Sequence, residues 1–409
     1  MAIIKIKNQA IDLDAAEIPN LPATKITSGT FDNARISLDA AEIPNLDTAK
    51  ITTGTLADAR IPANALNSNV SVPNQSAFKN IIINGDMSIA QRATSTSSIT
   101  GNGYHTIDRF NTINTTLGTW TQSQSTDVPT GQGFATSLKM DCTTADASPA
   151  AGDRLDIQQK FEGQNLQYLK KGTSSAQSTT LSFWVKSNKT GTYIVELFDS
   201  DNTRQISQAY TISSSNTWEK KTLTFAGDTS GALGNDNGNS LQVSWFLAVG
   251  STYSSGTLST TWTSNTNANR AVGQVNLADS TSNEWYVTGV QLEAGTSASD
   301  FEFLPVDVNL ARCQRYFELI TGSRSQYSRY SSAAYPNPFF FRVNKRANPT
   351  ISKAEANFTM FYNNGYDANV TWNSDIMDVE QFTIYMSSTR DYGFIGPDET
   401  KPFKADSEL

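Results

Sequence analysis

IDLDAAEIPNLPATKITSGTFDNAR (residues 11–35) is followed at once by ISLDAAEIPNLDTAKITTGTLADAR (residues 36–60), so the chain repeats with a period of 25 residues. One copy holds too few apolar residues to offset the conformational entropy lost when it becomes ordered. Two copies are also fewer than the roughly three that a solenoid needs. We therefore predict that the repeats pack against other copies of the chain, as a stem around a common axis. A disordered polar linker is the alternative.

The composition of the 409-residue chain is typical of a β-rich protein with two or three domains. Apolar residues make up 38% and charged residues 17%, and the balance is rich in Ser, Thr, Asn and Gly, which favours short strands and many turns. The net charge is −8 and there is no basic block, so nucleic acid is not an expected partner. The sequence shows neither a signal peptide nor an apolar run of about 20 residues, and we expect no membrane insertion.

Five segments alternate apolar and polar residues, which predicts strands with one buried face. They are residues 180–185, 192–198, 218–225, 241–249 and 284–292. Turn-rich connections at this spacing predict an antiparallel sandwich. We place Trp184, Trp245 and Trp285 in its core and Trp218 at the start of a strand, closing an edge.

The phrase IPNLDTAKITTGTLADARIP (residues 43–62) resembles the stem repeat of tailed-bacteriophage tail fibre proteins. The resemblance implies a homotrimer. NIIINGDMSIAQR (residues 80–92) resembles the start of a jelly-roll domain of phage fibres, and residues 290–302 resemble its last strand. Residues 80–92 are also similar to the start of jelly-roll carbohydrate-binding modules. In those modules a glutamate often binds a structural calcium ion. Ser88 stands at that position here, and we predict neither a metal nor a cofactor.

The continuous apolar run of residues 81–83 predicts a buried strand. VNLARCQRYFELI (residues 308–320) predicts the one convincing helix, with Asp307 as N-cap and Gly322 as the stop. Its RCQRYF segment also resembles phage fibres, in which a Met-Arg-x-x-Pro-Thr strand end follows. Lys345 stands in place of that methionine. The tail PDETKPFKADSEL (residues 397–409) is charged, and we predict that it is loose.

These observations predict a mainly β chain with a repetitive trimeric stem, an antiparallel jelly-roll sandwich, one helix and a small distal β domain. The predicted order is an attachment segment (1–10), the stem (11–62), a neck (63–79), the sandwich (80–305) and the helix with the C-terminal β domain (306–409).

Catalytic chemistry finds little support in the sequence. His105 is the only histidine, and no G-x-S-x-G motif accompanies it. The 39 acidic residues provide carboxylate pairs by chance, but the long parallel β-helix pattern of glycan-degrading spikes is missing. Cys142 and Cys313 are predicted to be buried free thiols, with a disulfide left open. We predict no catalytic residues and no enzymatic activity.

Sugars present apolar C–H faces that stack on aromatic rings, while their hydroxyls need polar partners. In the C-terminal β domain, four aromatic residues flank turns rich in Asn, Asp and Gly: Tyr362, Tyr366, Trp372 and Tyr392. In the sandwich, Trp120 and Trp262 lie in Thr- and Ser-rich surroundings. We predict these six as glycan-binding residues, although packing roles remain open for each.

The sequence thus predicts a homotrimeric phage tail fibre, part of the virion and assembled in the host cytoplasm. Its N-terminus would join other tail or baseplate proteins, and its C-terminal domains would bind a host surface polysaccharide. Two alternatives remain open. One is a purely structural virion component, such as a connector or head fibre, and the other is a secreted carbohydrate-binding module.

Overall fold

A computed structural model describes residues 78–321, 325–330, 333–336, 338–353, 360–362, 365–367, 372–387, 392–395 and 403–409. The predicted attachment segment, the stem and the neck up to residue 77 lie outside the described residues. The described ranges belong to one compact unit, residues 75–409. They form a mainly β structure, as predicted.

One sheet of the sandwich has six antiparallel strands. They are β1 (Ser95–Ile99), β4 (Thr119–Ser125), β5 (Ser137–Thr144), β7 (Thr179–Ser187), β10 (Glu219–Phe225) and β13 (Glu284–Ala294). Their order across the sheet is β1-β4-β5-β13-β7-β10.

The facing sheet has seven strands and is also antiparallel. They are β2 (Gly103–Tyr104), β3 (Asn111–Thr115), β6 (Arg154–Glu162), β8 (Gly191–Asp199), β9 (Arg204–Ile212), β11 (Asn239–Val249) and β12 (Thr263–Ser264). Their order is β12-β9-β8-β11-β6-β3-β2. The chain passes repeatedly between the two sheets, so the strands that pair are mostly distant in sequence, and the predicted antiparallel sandwich is confirmed.

The core lies between the two sheets and follows the alternation in the sequence. Leu181, Phe183 and Val185 of β7 point into it and are fully buried. Trp245 and Trp285 are also fully buried there, as predicted. Burial of each such large apolar side chain contributes about 1.5–3 kcal/mol, and all five predicted strands are present.

Residues 81–83 are packed against the sandwich but do not form the predicted strand. Ile82 and Ile83 are buried, while pairing is limited to isolated bonds such as Ile81 N to Leu292 O at 2.8 Å. The side chain of Gln159 takes the place of a partner strand, since it accepts from Ile83 N at 2.7 Å and donates to Ile83 O at 2.9 Å. The chain then bends at Asn84, whose φ is 62°.

The predicted helix is real but shorter than the sequence pattern indicated. A single turn, α1 (Ser251–Ser254), precedes it, and α2 (Val306–Gln314) starts after Pro305. Cys313 of α2 packs against Ile83 and Ile89. The prediction that the helix continues to residue 320 was wrong, because Phe317–Ile320 forms strand β14. The backbone of β14 pairs with that of Phe403–Asp406.

The C-terminal residues form two further sheets. The smaller has the order β14-β24-β18, with β18 (Thr350–Lys353) and β24 (Phe403–Asp406). The larger contains β15 (Ser325–Tyr330), β16 (Ala333–Pro336), β17 (Phe339–Phe340), β19 (Met360–Tyr362), β20 (Gly365–Asp367), β21 (Trp372–Met377), β22 (Gln381–Ser387) and β23 (Tyr392–Ile395). Its order is β17-β22-β16-β15-β23-β19-β20, and β21 pairs with β22.

The prediction of a loose tail was wrong for its described part, residues 403–409. Strand β24 lies in the middle of its sheet, and Ala405 is fully buried. Beyond it, Glu408 pairs with Arg109, whose side chain is completely buried. The Leu409 main-chain oxygen accepts from Lys160 Nζ at 2.9 Å. The charged residues that suggested looseness are therefore the ones that anchor the tail.

Cys142 and Cys313 are both free and buried, as predicted. Burial raises the pKa of the Cys142 thiol to about 11. None of the helices in the described ranges has the length and apolar character needed to cross a lipid bilayer.

Lys345 stands where the phage fibres that this segment resembles have a methionine. It is a buried cation with a buried partner. Its Nζ lies 2.5 Å from Glu318 Oε2, and the side chains are 0% and 2% exposed. The same Nζ donates to Gln314 O at 2.5 Å. Burial lowers the pKa of Lys345, although Glu318 offsets part of this effect.

We expect Lys345→Met to lower the free energy of unfolding by about 3–5 kcal/mol, because it leaves the Glu318 carboxylate buried and unpaired. The double variant Lys345→Met/Glu318→Gln should recover most of the loss, since neither side chain then carries a charge. Denaturant unfolding of wild type, both single variants and the double variant measures this. An unchanged free energy of unfolding in the Lys345→Met single variant would contradict this interpretation.

Candidate functional site

Trp120 is a core residue, which corrects its prediction as a glycan-binding residue. Its side chain is fully buried in the sandwich, and its indole Nε1 donates to Leu117 O at 2.7 Å. No face of the ring is available to a ligand. The polar surroundings that suggested exposure come from the neighbouring residues of β4, which alternate to the outside.

Trp262 lies at the surface and is partly buried against the core. Its Nε1 donates to Ala226 O at 2.7 Å, and Lys171 Nζ lies 4.9 Å from the ring centroid. One side of the ring is thus occupied by a cation. A binding role for Trp262 stays a prediction.

The other four predicted residues all lie in the eight-stranded sheet. Tyr362 ends β19 opposite Gly365, and Tyr366 of β20 pairs with Phe361. Trp372 begins β21, and Tyr392 begins β23. Their side chains lie outside what the structure describes, so the proposed binding role of these four residues also stays a prediction.

The outer face of the six-stranded sheet carries a cluster of aromatic and charged side chains, which we call the tryptophan face. Register places its members side by side, because directly opposite residues of antiparallel strands share a face. Tyr286 of β13 lies opposite Lys139 of β5 and opposite Lys186 of β7, and Trp184 lies opposite Lys220. The last member of the face is Trp218, whose ring centroid lies 6.1 Å from that of Tyr286.

Hydrogen bonds hold Trp218 and the neighbouring lysine in place. Trp218 Nε1 donates to Asp127 Oδ1 at 2.9 Å, and Lys186 Nζ donates to the other oxygen of this carboxylate. Lys186 Nζ also lies 4.3 Å from the ring centroid of Tyr286. Burial acts to raise the pKa of Asp127, but the hydrogen bonds from Lys186 and Trp218 outweigh it, so the pKa is lowered.

The remaining lysines of the tryptophan face differ in their pairing. Lys139 Nζ donates to Glu284 Oε1 at 2.6 Å, and although burial acts to lower its pKa, Glu284 raises it. Lys220 is exposed. The face therefore combines partly exposed indole rings with oriented polar groups and an accessible ammonium group.

A cleft of about 240 Å³ adjoins Trp184 on this face. Its lining includes Gln132, Phe134 and Phe303, and Phe303 is 52% exposed. The cleft depends on Gly289, whose φ is 61° at the bulge of β13, because a Cβ there would lie 2.5 Å from the Phe134 ring. The cleft can accept one ring-sized group beside the indole of Trp184.

Our prediction that Trp184 is a core residue was wrong, although the sequence contained the signal. In TLSFWV, Leu181, Phe183 and Val185 share one parity of the strand and are buried. Ser182 and Trp184 have the other parity, which places them on the outer face. The signal for a surface site was therefore a tryptophan at one of the alternating positions that point away from the core.

The outer face of the seven-stranded sheet carries a small buried apolar cluster of Ile194, Phe246 and Ala271, and its buried charges are paired with each other. Arg270 binds the fully buried Glu196 through two hydrogen bonds of 2.8 and 2.6 Å. Arg154 NH2 donates to the fully buried Asp156 at 3.1 Å. Because these charges satisfy each other, they are not available to a ligand in the way that the exposed groups of the tryptophan face are.

The position that corresponds to the calcium site of the resembling carbohydrate-binding modules does not fit a cation here. The side-chain amide of Asn309, from α2, donates from Nδ2 to Asp86 Oδ1 at 3.1 Å and to Ser88 Oγ at 3.0 Å. An amide N–H therefore occupies the place where a metal would need oxygen ligands. Within the described ranges, no group of three or more His, Cys, Asp or Glu side chains is arranged to hold a metal.

No family model matches the chain. No curated protein matches it either. Several solved structures are similar to part of this chain. The enzymatically active domain of bacteriophage CBA120 tailspike protein 4 shares 15% identity at a TM-score of 0.29, over 54% of this chain and 22% of that one. The chain thus spans about a fifth of that tailspike chain.

Two sugar-related structures are similar at the same level. One is a putative sugar-binding protein from Bacteroides thetaiotaomicron, with 10% identity and a TM-score of 0.28 over 53% of this chain and 99% of that one. The other is the N-terminal cellulose-binding domain of Cellulomonas fimi β-1,4-glucanase C, with 12% identity and a TM-score of 0.26 over 51% and 100%. TM-scores this low support no functional argument. The argument for function rests on the residues of the tryptophan face instead.

The pairing of Trp218 with Asp127 predicts a pH response. Because the pKa of Asp127 is held below its ordinary value of 3.8, the indole N–H resonance of Trp218 should titrate with a midpoint below 3.8. Asp127→Asn should abolish this titration while changing the unfolding free energy by less than about 1 kcal/mol, since exposed pairs contribute little. Two-dimensional NMR measures the titration and denaturant unfolding measures the free-energy change. A titration midpoint above 3.8 would rule out the proposed pairing.

Proposed function

We propose that the chain is a tail fibre of a tailed bacteriophage, and that it attaches the virion to a glycan on the host cell surface without catalysing a reaction. The observation that carries the glycan-binding part is the tryptophan face. Trp184 and Trp218 lie on one sheet face beside oriented lysine and carboxylate groups. Indole rings supply apolar area to the C–H face of a sugar, and the polar groups supply partners for its hydroxyls.

The repeat of residues 11–60 supports the fibre part of the proposal. A stem of three chains would present three copies of the tryptophan face on one particle. Linked weak sites give a combined affinity far above that of one site, without any new contact. In this proposal the N-terminus joins other tail or baseplate proteins of the virion, and the protein is assembled in the host cytoplasm.

The tryptophan face thus becomes the first candidate site within the sandwich, alongside the earlier candidate Trp262. Tyr362, Tyr366, Trp372 and Tyr392 remain proposed as a further site in the C-terminal β domain. A purely structural virion component would not need host binding. Adsorption of the purified protein to host cells therefore separates that alternative from the fibre.

The test of glycan binding is an array of bacterial surface polysaccharides, followed by calorimetry with the ligand that it identifies. Trp184→Ala and Trp218→Ala should each weaken binding about tenfold or more, as expected of buried aromatic contacts in an interface. Phe340→Ala is the control, because Phe340 is an exposed aromatic residue (67%) that lies outside the tryptophan face and is not one of the candidate binding residues. Loss of binding in Trp262→Ala alone would move the site away from this face, and no binding to any glycan would overturn the proposal.

The test of the stem is the solution mass of the full chain and of a variant lacking residues 1–79. We expect a mass near three times 44.5 kDa for the full chain and weaker association after the deletion. Light scattering coupled to gel filtration measures both. A stable monomeric full chain would contradict the trimeric fibre, and a deletion variant that remains trimeric would assign assembly to the body.

A further inference from the structure

A groove of about 620 Å³ lies beside the sandwich, at the start of the described chain. Its walls come from residues 78–83, from the turn that follows β6 and from α2. The volume falls within the range of roughly 300–1,000 Å³ that is typical of small-ligand sites. The groove shares no lining residue with the cleft of the tryptophan face.

The rim of the groove exposes aromatic surface. Phe78 is 58% exposed and Tyr168 is 49% exposed, and both line the groove. They are two of the five large apolar residues exposed to this extent within the described ranges. Two exposed rings at one opening provide stacking surfaces for a flat ligand.

The base of the groove contains a charge cluster that is already satisfied. Glu162 accepts from Arg315 at 2.7 and 2.6 Å and from the Tyr316 hydroxyl at 2.5 Å. Burial acts to raise the pKa of Glu162, but these hydrogen bonds lower it, so the carboxylate stays ionised and paired. Arg315 is therefore committed to Glu162.

Arg312, on the same wall, is not committed. No carboxylate of the described ranges lies within salt-bridge distance of its guanidinium, and its NH2 makes one bond, to Asn80 O at 3.3 Å. Glu302 contributes to the field at Arg312, but its oxygens accept from Phe78 N at 2.6 Å and Asn80 N at 3.0 Å. Burial lowers the pKa of Arg312, and the opposing effects of Cys313, Glu302 and Tyr316 offset this only in part.

We propose that this groove is a second binding site, and that it takes an acidic saccharide. The carboxylate or phosphate of the sugar pairs with Arg312, and the sugar ring lies against Tyr168 and Phe78. The planar guanidinium suits both anions, since it can donate two parallel hydrogen bonds. The saccharide class rests on the proposed function, whereas the site and its preference for an anion rest on the groove itself.

The test is calorimetric titration of the full-length protein with a galacturonate oligosaccharide, a hexose phosphate and a neutral galactose oligosaccharide. At least one acidic probe should bind about tenfold or more tightly than the neutral one, and raising the salt concentration should weaken it. Comparison of the two acidic probes identifies the preferred anion. Equal binding of neutral and acidic probes, or no binding of either acidic probe, would overturn the proposal.

The variants locate the site. Arg312→Gln should weaken the acidic probe about tenfold or more, and Arg312→Lys should lose less because it keeps the charge. Arg342→Gln is the matched control, because the Arg342 side chain is 59% exposed and does not line the groove. Thermal melting confirms that each variant is folded.

The same titration separates this inference from the proposed function. If Trp184→Ala and Trp218→Ala abolish binding of the acidic probe while Arg312→Gln does not, the groove inference is overturned and the tryptophan face stands. If Arg312→Gln alone abolishes it, the groove is a separate site, whatever the tryptophan face binds.

Discussion

The apolar layer between the two sheets of the sandwich determines which side chains remain available for recognition. Successive residues of a strand point to opposite faces, so burial of one parity forces the other parity outward. Leu181, Phe183 and Val185 fill the core, and Trp184 is thereby displayed on the outer surface. The proposed recognition by Trp184 and the stability of this strand are therefore coupled, because a shift of one residue in register would exchange the two sets.

The parts of the fold that could be predicted from the sequence are those in which local pattern and tertiary packing agree. The alternating strands of the sandwich are of this kind. The helix was predicted too long because Phe317 and Ile320 fit a helical stripe, yet their backbone pairs with β24, more than eighty residues later. The tail appeared loose because the counter-charge of Glu408 is Arg109, at a separation of 299 residues.

The candidate sites show the same limit. Trp184 could be located from its parity alone, but Trp120 was mistaken for a surface residue because its neighbours are polar. Arg312 gave no signal in the sequence, since the absence of a carboxylate partner for it among the described residues is a property of three-dimensional packing. The buried ion pair of Lys345 with Glu318 could not be predicted from the sequence either, although Lys345 departs from the methionine of the phage fibres that this segment resembles.

The central place of β24 in its sheet has a consequence for synthesis on the ribosome. Arg109 is buried within the sandwich, and Glu408 is made 299 residues later. The sandwich is complete only once β13 has been made, and β13 ends at Ala294, 114 residues before Glu408. At about 5–20 residues per second, the nascent sandwich therefore holds this cation without its counter-charge for roughly 6–23 s. A chain released early also leaves β14 and β18 as open edges, which invite aggregation. The body therefore gains its full stability only after residues 403–409 have been made and have paired with β14, β18 and Arg109.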